Sequence, residues 1–270
     1  MSTRKTLLLA AATVLVACSG GSNSDTTAPS KDAPVYLALG DSVPFGITDA
    51  LAAITQDPRR FEGYPKFLAD MVDLPLLNAA CPGEASGSFN SVEAPDNGCR
   101  AYRAFSTLHV EYQGTQLAYA LDVVATYPQT VLVTLQIGAN DILMLLNSCM
   151  GDEDCIASGL PDVLQEASVN VGDIVSALRS AGYTGQLVVL GYYSPNSDLT
   201  PPIEALNEVL EQAAAGGFDA DFVDLYGPFG SDPCGDGLIA KVSGQCEIHP
   251  SRAGHQLIAS QIAKIVQVTR

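Results

Sequence analysis

The sequence predicts an α/β fold in three layers, a parallel sheet covered by helices on both faces. Three observations predict it. Five short runs are apolar almost throughout instead of alternating, as strands buried on both faces must be. Stretches with apolar residues at helical spacing separate them. Polar, chemistry-bearing residues follow directly after several of the runs, where open parallel sheets place their ligands.

Residues 35–39 (VYLAL) are the first run, which stops at Gly40. Gly63 to Val72 has helical spacing, with Tyr64, Phe67, Leu68 and Met71 on one face. Leu74 to Ala79 reads as the second strand, and the polar, glycine-rich stretch from Cys81 to Arg103 as a loop. Thr115 to Tyr127 is helical, and Val131 to Ile137 (VLVTLQI) is the clearest buried strand. A helix over Leu160 to Ala181 leads to a strand over Gln186 to Tyr192. Thr200-Pro201-Pro202 opens the next helix, with Thr as cap and Pro in the first turn, and it runs to about Ala215. Phe222 to Leu225 is the last strand, and Ser251 to Val268 a closing helix. No internal repeat and no second domain interrupt residues 35–270.

The chain has 270 residues, 47% apolar and 16% charged, and is long enough to bury a large core. Its formal net charge of −17 repels phosphate backbones, which argues against a nucleic-acid partner. The first 17 residues read as an export signal: Arg4 and Lys5, then an apolar run from Leu7 to Ala17, too short to span a bilayer as a mature helix. Leu15-Val16-Ala17-Cys18 resembles the bacterial lipobox, so Cys18 is the expected lipidation site, with ordinary cleavage near Ala17 as the alternative. Residues 18–34 are rich in Ser, Gly, Thr and Pro and read as a flexible tether. The expected location is therefore extracytoplasmic, lipid-anchored to a bacterial membrane or secreted, and the expected state a monomer. Six further cysteines fit disulfides in such a compartment. Sequence neighbours favour Cys81–Cys99, Cys149–Cys155 and Cys234–Cys246, each stapling one loop. No C-x-x-C pair or Cys/His cluster is present, so no metal is expected.

Four segments carry chemistry. Gly40-Asp41-Ser42-Val43-Pro44 places a serine in a tight turn at the start of a helix, as a nucleophile or as a plain helix cap. The G-x-S-x-G elbow of α/β-hydrolases is missing. Gly83, in Cys81-Pro82-Gly83-Glu84, can aim a backbone N–H at a neighbouring oxygen or serve only as a turn glycine. Asn140, in Gly138-Ala139-Asn140-Asp141, is an oxyanion donor or a cap for the stretch that follows. Of three histidines, His249 before Pro250 best suits a loop-borne base; His255 reads as packing, and His109 has no motif.

Taken in order, G-D-S, a Gly loop, G-x-N-D and H-P resemble the SGNH hydrolases, the GDSL lipase/esterase family, and most closely its secreted bacterial branch with three disulfides. The resemblance spans Val35 to the C-terminus and implies a flavodoxin-like central parallel sheet. It implies Ser42 as nucleophile, His249 as general base, and an oxyanion hole of the Ser42 N–H, Gly83 and Asn140. No cofactor is implied, and the partner is a small-molecule or lipid ester. The family often has an Asp three residues before the His, where this chain has Cys246. The Cys246 backbone carbonyl is the favoured group to orient His249, with Glu247 or Asp236 as the alternative. Two other functions compete with a lipase/esterase: a polysaccharide O-acetylesterase, and a non-catalytic glycan- or partner-binding lipoprotein on the same fold.

Overall fold

The computed structural model describes residues 29–48, 57, 60–216 and 219–267. The export signal, Cys18 and most of the tether lie outside them. Five strands, β1 (Val35–Gly40), β2 (Leu76–Asn78), β3 (Thr130–Gln136), β4 (Gln186–Leu190) and β5 (Asp221–Val223), form one parallel sheet in the order β2-β1-β3-β4-β5. Every side chain of β1 is buried, and each large one contributes about 1.5–3 kcal/mol. Tyr36 enters this core because its hydroxyl meets Thr134 Oγ1 at 2.7 Å.

Helices lie on both faces of the sheet, as parallel crossovers require. One face is covered by α2 (Tyr64–Val72), which packs against the closing helix α10 (Arg252–Ala263). The other carries α5 (Gln116–Thr126), α7 (Glu153–Ser180) and α8 (Thr200–Ala215), packed in that order. The order of the sheet reverses between β1 and β3, whose ends align with Gly40 opposite Gln136. Chains leaving these two strands diverge there and open a crevice. The short α1 (Ser42–Phe45) follows β1, and α6 (Ala139–Cys149) follows β3.

The structure corrects the expected boundaries. The stretch read as a loop contains α3 (Ser86–Asn90) and α4 (Cys99–Phe105), too short for a periodic pattern to show. Helix α7 begins well before Leu160 because Asp152 caps it by accepting the Cys155 N–H at 3.0 Å. Its buried residues, Ala167, Val171, Ile174, Val175 and Leu178, all lie in the C-terminal half, so apolar spacing marked only that half. Thr200 is not the cap of α8. Asn196 Oδ1 accepts the N–H groups of Asp198 and Leu199, closing a 3₁₀ turn (Ser197–Leu199) that feeds the helix directly.

All three expected disulfides form. Cys149–Cys155 joins the end of α6 to the first turn of α7 rather than stapling a loop. Cys234–Cys246 braces an antiparallel hairpin, β6 (Ile239–Val242) and β7 (Gln245–Pro250), after the one-turn α9 (Tyr226–Phe229). Period-two alternation is weak in both hairpin strands, which is why the sequence left them unassigned. Among the described residues no helix is long and apolar enough to cross a membrane.

Candidate active site

Gly40 leaves β1 at φ 133°, and a Cβ there would overlap the Gln136 carbonyl, so the turn demands glycine. One side chain holds both of its backbone groups: Gln116 Oε1 accepts the Gly40 N–H at 2.5 Å, and Nε2 donates to the Gly40 carbonyl at 3.0 Å. Asp41 comes next and is buried. Its Oδ1 accepts the Val43 N–H at 2.9 Å, so Asp41, not Ser42, caps α1. Its Oδ2 accepts the Tyr192 hydroxyl at 2.5 Å. Ser42 is thereby free of the capping duty that a serine in this position often has, and its Oγ stands 3.0 Å from His249 Nε2.

His249 reaches Ser42 from β7, across 207 residues of sequence. The hydroxyl of Tyr193, whose ring stacks on Phe229 at 4.3 Å, donates to the carbonyl of Ile248 at 2.8 Å and fixes the approach of β7. Glu247 and His249 are two apart on one strand, so they share a face. Glu247 Oε2 lies 3.9 Å from His249 Nδ1, within ion-pair range and beyond hydrogen-bond length. Cys246 pairs with Lys241 across the hairpin, its sulfur bound to Cys234.

The other two candidate donors lie on the loop after β2 and in the first turn of α6. Gly83 has φ 81°, and a Cβ there would press on the Asn97 carbonyl. Asn140 lines the same cavity as Ser42 and His249. Its Nδ2 donates to the Glu84 carbonyl at 2.9 Å, while its Oδ1 accepts from Asn97 Nδ2 at 2.8 Å. Asn140 is the second residue of α6 and not its cap, a position held by Gly138. Asp141 adds a second tie, accepting the Ser86 N–H at 2.9 Å and the Ser86 hydroxyl at 2.6 Å. The cavity beside Ser42 has an apolar wall of Ile142, Leu143, Leu199, Ile203 and Ile248. Of the apolar run after Asn140, Ile142 and Leu143 therefore face the site, whereas Met144 and Leu145 face a separate cleft of about 340 Å³.

Over residues 38–257 the sequence matches the GDSL-like lipase/acylhydrolase family. The chain belongs to this family. Solved structures of similar fold include a lipase from a goat rumen metagenome (TM-score 0.53, 14% identity, covering 85% of this chain and 95% of that one). A psychrotrophic esterase EstA from a Pseudoalteromonas species, in a structure inhibited by monoethylphosphonate, is similar at TM-score 0.50 and 16% identity over 86% and 95%. At these identities the likeness is one of fold. No curated protein matches the chain.

In this GDSL-like chain the two other histidines take no part in the Ser42–His249 contact. His255 is fully buried, its Nδ1 accepting the Tyr64 N–H at 3.2 Å, and burial pushes it down to about 3. His109 Nε2 sits 2.8 Å from the Phe45 carbonyl and is also lowered by burial. Cys81, Glu84 and Cys99 converge, but the two sulfurs are joined in a disulfide and offer no thiolate to a metal. The sequence did not single out Gln116, Asn97, Tyr192 or Tyr193. The two tyrosines carried a signal all the same, polar tips at the carboxyl end of β4.

Burial raises the Asp41 carboxyl to about 7 against the opposing hydrogen bond from Tyr192, and raises Glu84 likewise to about 7. Ser88 Oγ donates to Glu84 Oε1 at 2.5 Å, which offsets only part of that desolvation. Both folded values lie above the unfolded ones, so the folded protein binds more protons from about pH 4 to 7. The stability they contribute is complete below the unfolded values and is lost as pH rises through about 7. The thermal midpoint of wild type should therefore fall more between about pH 5 and pH 8 than that of Glu84→Gln, which keeps the Ser88 contact without a titrating proton. Calorimetry at the two pH values checks this, and equal falls would show that Glu84 does not titrate in that range.

Proposed function

We propose that this chain is a serine ester hydrolase that cleaves carboxylic esters through an acyl-enzyme on Ser42. The observation that carries the reading is the 3.0 Å approach of His249 Nε2 to Ser42 Oγ at the mouth of an apolar cavity. His249 takes the Ser42 proton as Oγ attacks the ester carbonyl. The backbone N–H groups of Ser42 and Gly83 and the Asn140 amide receive the oxyanion. His249 then protonates the leaving alcohol, and water repeats the sequence on the acyl-enzyme. Glu247, on the same face of β7, is the carboxylate that favours the productive tautomer and the transient imidazolium. No step calls for a cofactor.

The aliphatic wall of the cavity supports an acyl chain of short to medium length. The lipobox-like Leu15-Val16-Ala17-Cys18 and the three disulfides support an exported protein held at a bacterial membrane by a lipid on Cys18. Hydrolysis of p-nitrophenyl esters from acetate to palmitate, with fluorophosphonate labelling in parallel, tests the reading. Labelling of Ser42 with turnover highest at short to medium chains is the expected result. An optimum confined to acetate would shift the substrate toward acetylated glycans. Neither turnover nor labelling would leave a binding protein on a hydrolase fold.

A further inference from the structure

Asn140 can serve an oxyanion only if its amide is turned the right way, and a terminal amide rotates with little intrinsic preference between its two ends. Two neighbours decide the matter here. The Glu84 carbonyl can only accept, so the amide must show it Nδ2. That leaves Oδ1 toward Asn97, whose Nδ2 donates to it at 2.8 Å. Asn97 is tied to the other candidate donor as well, because its backbone N–H donates to the Gly83 carbonyl at 2.8 Å. Its loop is closed by Cys81–Cys99 and braced from within. Asp96 Oδ2 accepts both the backbone N–H and the Nε of Arg100, whose guanidinium also donates to the carbonyls of Val92 and Ala94.

We propose that Asn97 is a positioning residue of the oxyanion hole, orienting the Asn140 amide through Oδ1 and tying that amide to the Gly83 loop. The proposal rests on the ester-hydrolase reading and assigns a role in it to a side chain outside the G-D-S, Gly, Asn and His motifs. Asn97→Asp separates orientation from packing, because the two side chains have the same shape and differ in what they donate. Once ionised, the introduced carboxylate repels Oδ1 of Asn140 in the native orientation and attracts Nδ2 in the flipped one. A hydrogen bond to a charged acceptor is roughly twice as strong as the neutral bond to the Glu84 carbonyl, so the flipped amide wins. Its oxygen then faces the place where the substrate oxyanion forms.

The test measures kcat and KM of wild type, Asn97→Asp and Asn97→Ala on whichever p-nitrophenyl ester wild type turns over, from about pH 5 to about pH 8. At about pH 8, Asn97→Asp should lose about tenfold or more in kcat with KM changed by less than about twofold. The ratio of Asn97→Asp to wild type should climb as pH falls, because the introduced carboxyl, once protonated, again donates to Oδ1. Taking the ratio at each pH cancels the titration of His249. Asp96 and Arg100 beside position 97, with Glu84 and Asp141 on the neighbouring segments, set the charge against which that carboxyl ionises. Asn97→Ala should show a smaller loss and a flat ratio, since it removes the preference without reversing it. Wild-type kcat in Asn97→Asp, or equal and pH-independent losses in both variants with lowered thermal midpoints, would overturn the proposal and reduce Asn97 to loop support. Failure of the underlying reading looks different: wild type itself would turn over no ester.

Discussion

Ser42→Ala is expected to lower turnover of a p-nitrophenyl ester by about 10⁶-fold, the loss typical of removing the nucleophile from a hydroxyl-based acyl-transfer site. The size follows from the geometry. Asp41 takes over the capping of α1, so Ser42 Oγ has no structural duty that alanine would fail to perform. What disappears is the oxygen 3.0 Å from His249 Nε2. The oxyanion donors and the apolar cavity remain, so a small residual rate over water should persist. KM should change little, and the thermal midpoint should stay within a degree or so of wild type, because the side chain removed is one hydroxyl at the mouth of a cavity. Labelling by a fluorophosphonate should vanish together with turnover. Retained labelling would place the nucleophile elsewhere, and retained turnover would remove the acyl-enzyme from the mechanism.

The parts of the architecture legible in the sequence were those with one dominant physical cause. β1 and β3 are buried on both faces, so their unbroken apolar runs had no competing explanation. α2 and α10 each pack one stripe, and their spacing showed most of it, although Met71 at the end of the α2 stripe is exposed. α3 and α4 stayed hidden because helices of five and seven residues, held in part by a disulfide and by ties to α6, are too short to show a periodic face. The Ser42–His249 contact was legible for a different reason. Ser42 follows the carboxyl end of β1, where open parallel sheets place their ligands, and His249 stands just before α10. The residues that hold them were less legible, since each acts through one long-range hydrogen bond. Gln116 on α5 grips Gly40 across 76 positions, and Tyr192 reaches Asp41 across 151. No local pattern distinguishes such a glutamine from any other on a helix, and the only signal of Tyr192 was its polar tip beyond β4. The group facing His249 Nδ1 illustrates the same limit. The Cys246 carbonyl and Glu247 both belong to a hairpin the sequence did not reveal, in which strand alternation brings Glu247 Oε2 within 3.9 Å of Nδ1.

Asn140→Ala is expected to cost about 10² to 10³ in kcat, the loss typical of one oxyanion donor. The side chain lines the cavity with Ser42, and its Nδ2 uses one hydrogen on the Glu84 carbonyl, leaving the second for the developing oxyanion. Stabilisation of this kind grows as charge moves onto the substrate oxygen, so kcat and kcat/KM should fall together while KM holds. Part of the measured effect will be structural, because alanine leaves the Glu84 carbonyl and the Asn97 amide without their contacts at the base of the Gly83 loop. That share can be separated. The ties from Asp141 to Ser86 survive in Asn140→Ala, so the fall in thermal midpoint should correspond to roughly 1–3 kcal/mol, one lost buried polar arrangement. Asn140→Asp supplies the contrast. It keeps the shape but places an acceptor where the oxyanion forms, and should be slower than Asn140→Ala above the pKa of the new carboxyl. Steady-state kinetics of both variants beside their melting curves check the assignment. An alanine variant with native kcat would exclude Asn140 from the hole and leave only the Ser42 and Gly83 backbone donors.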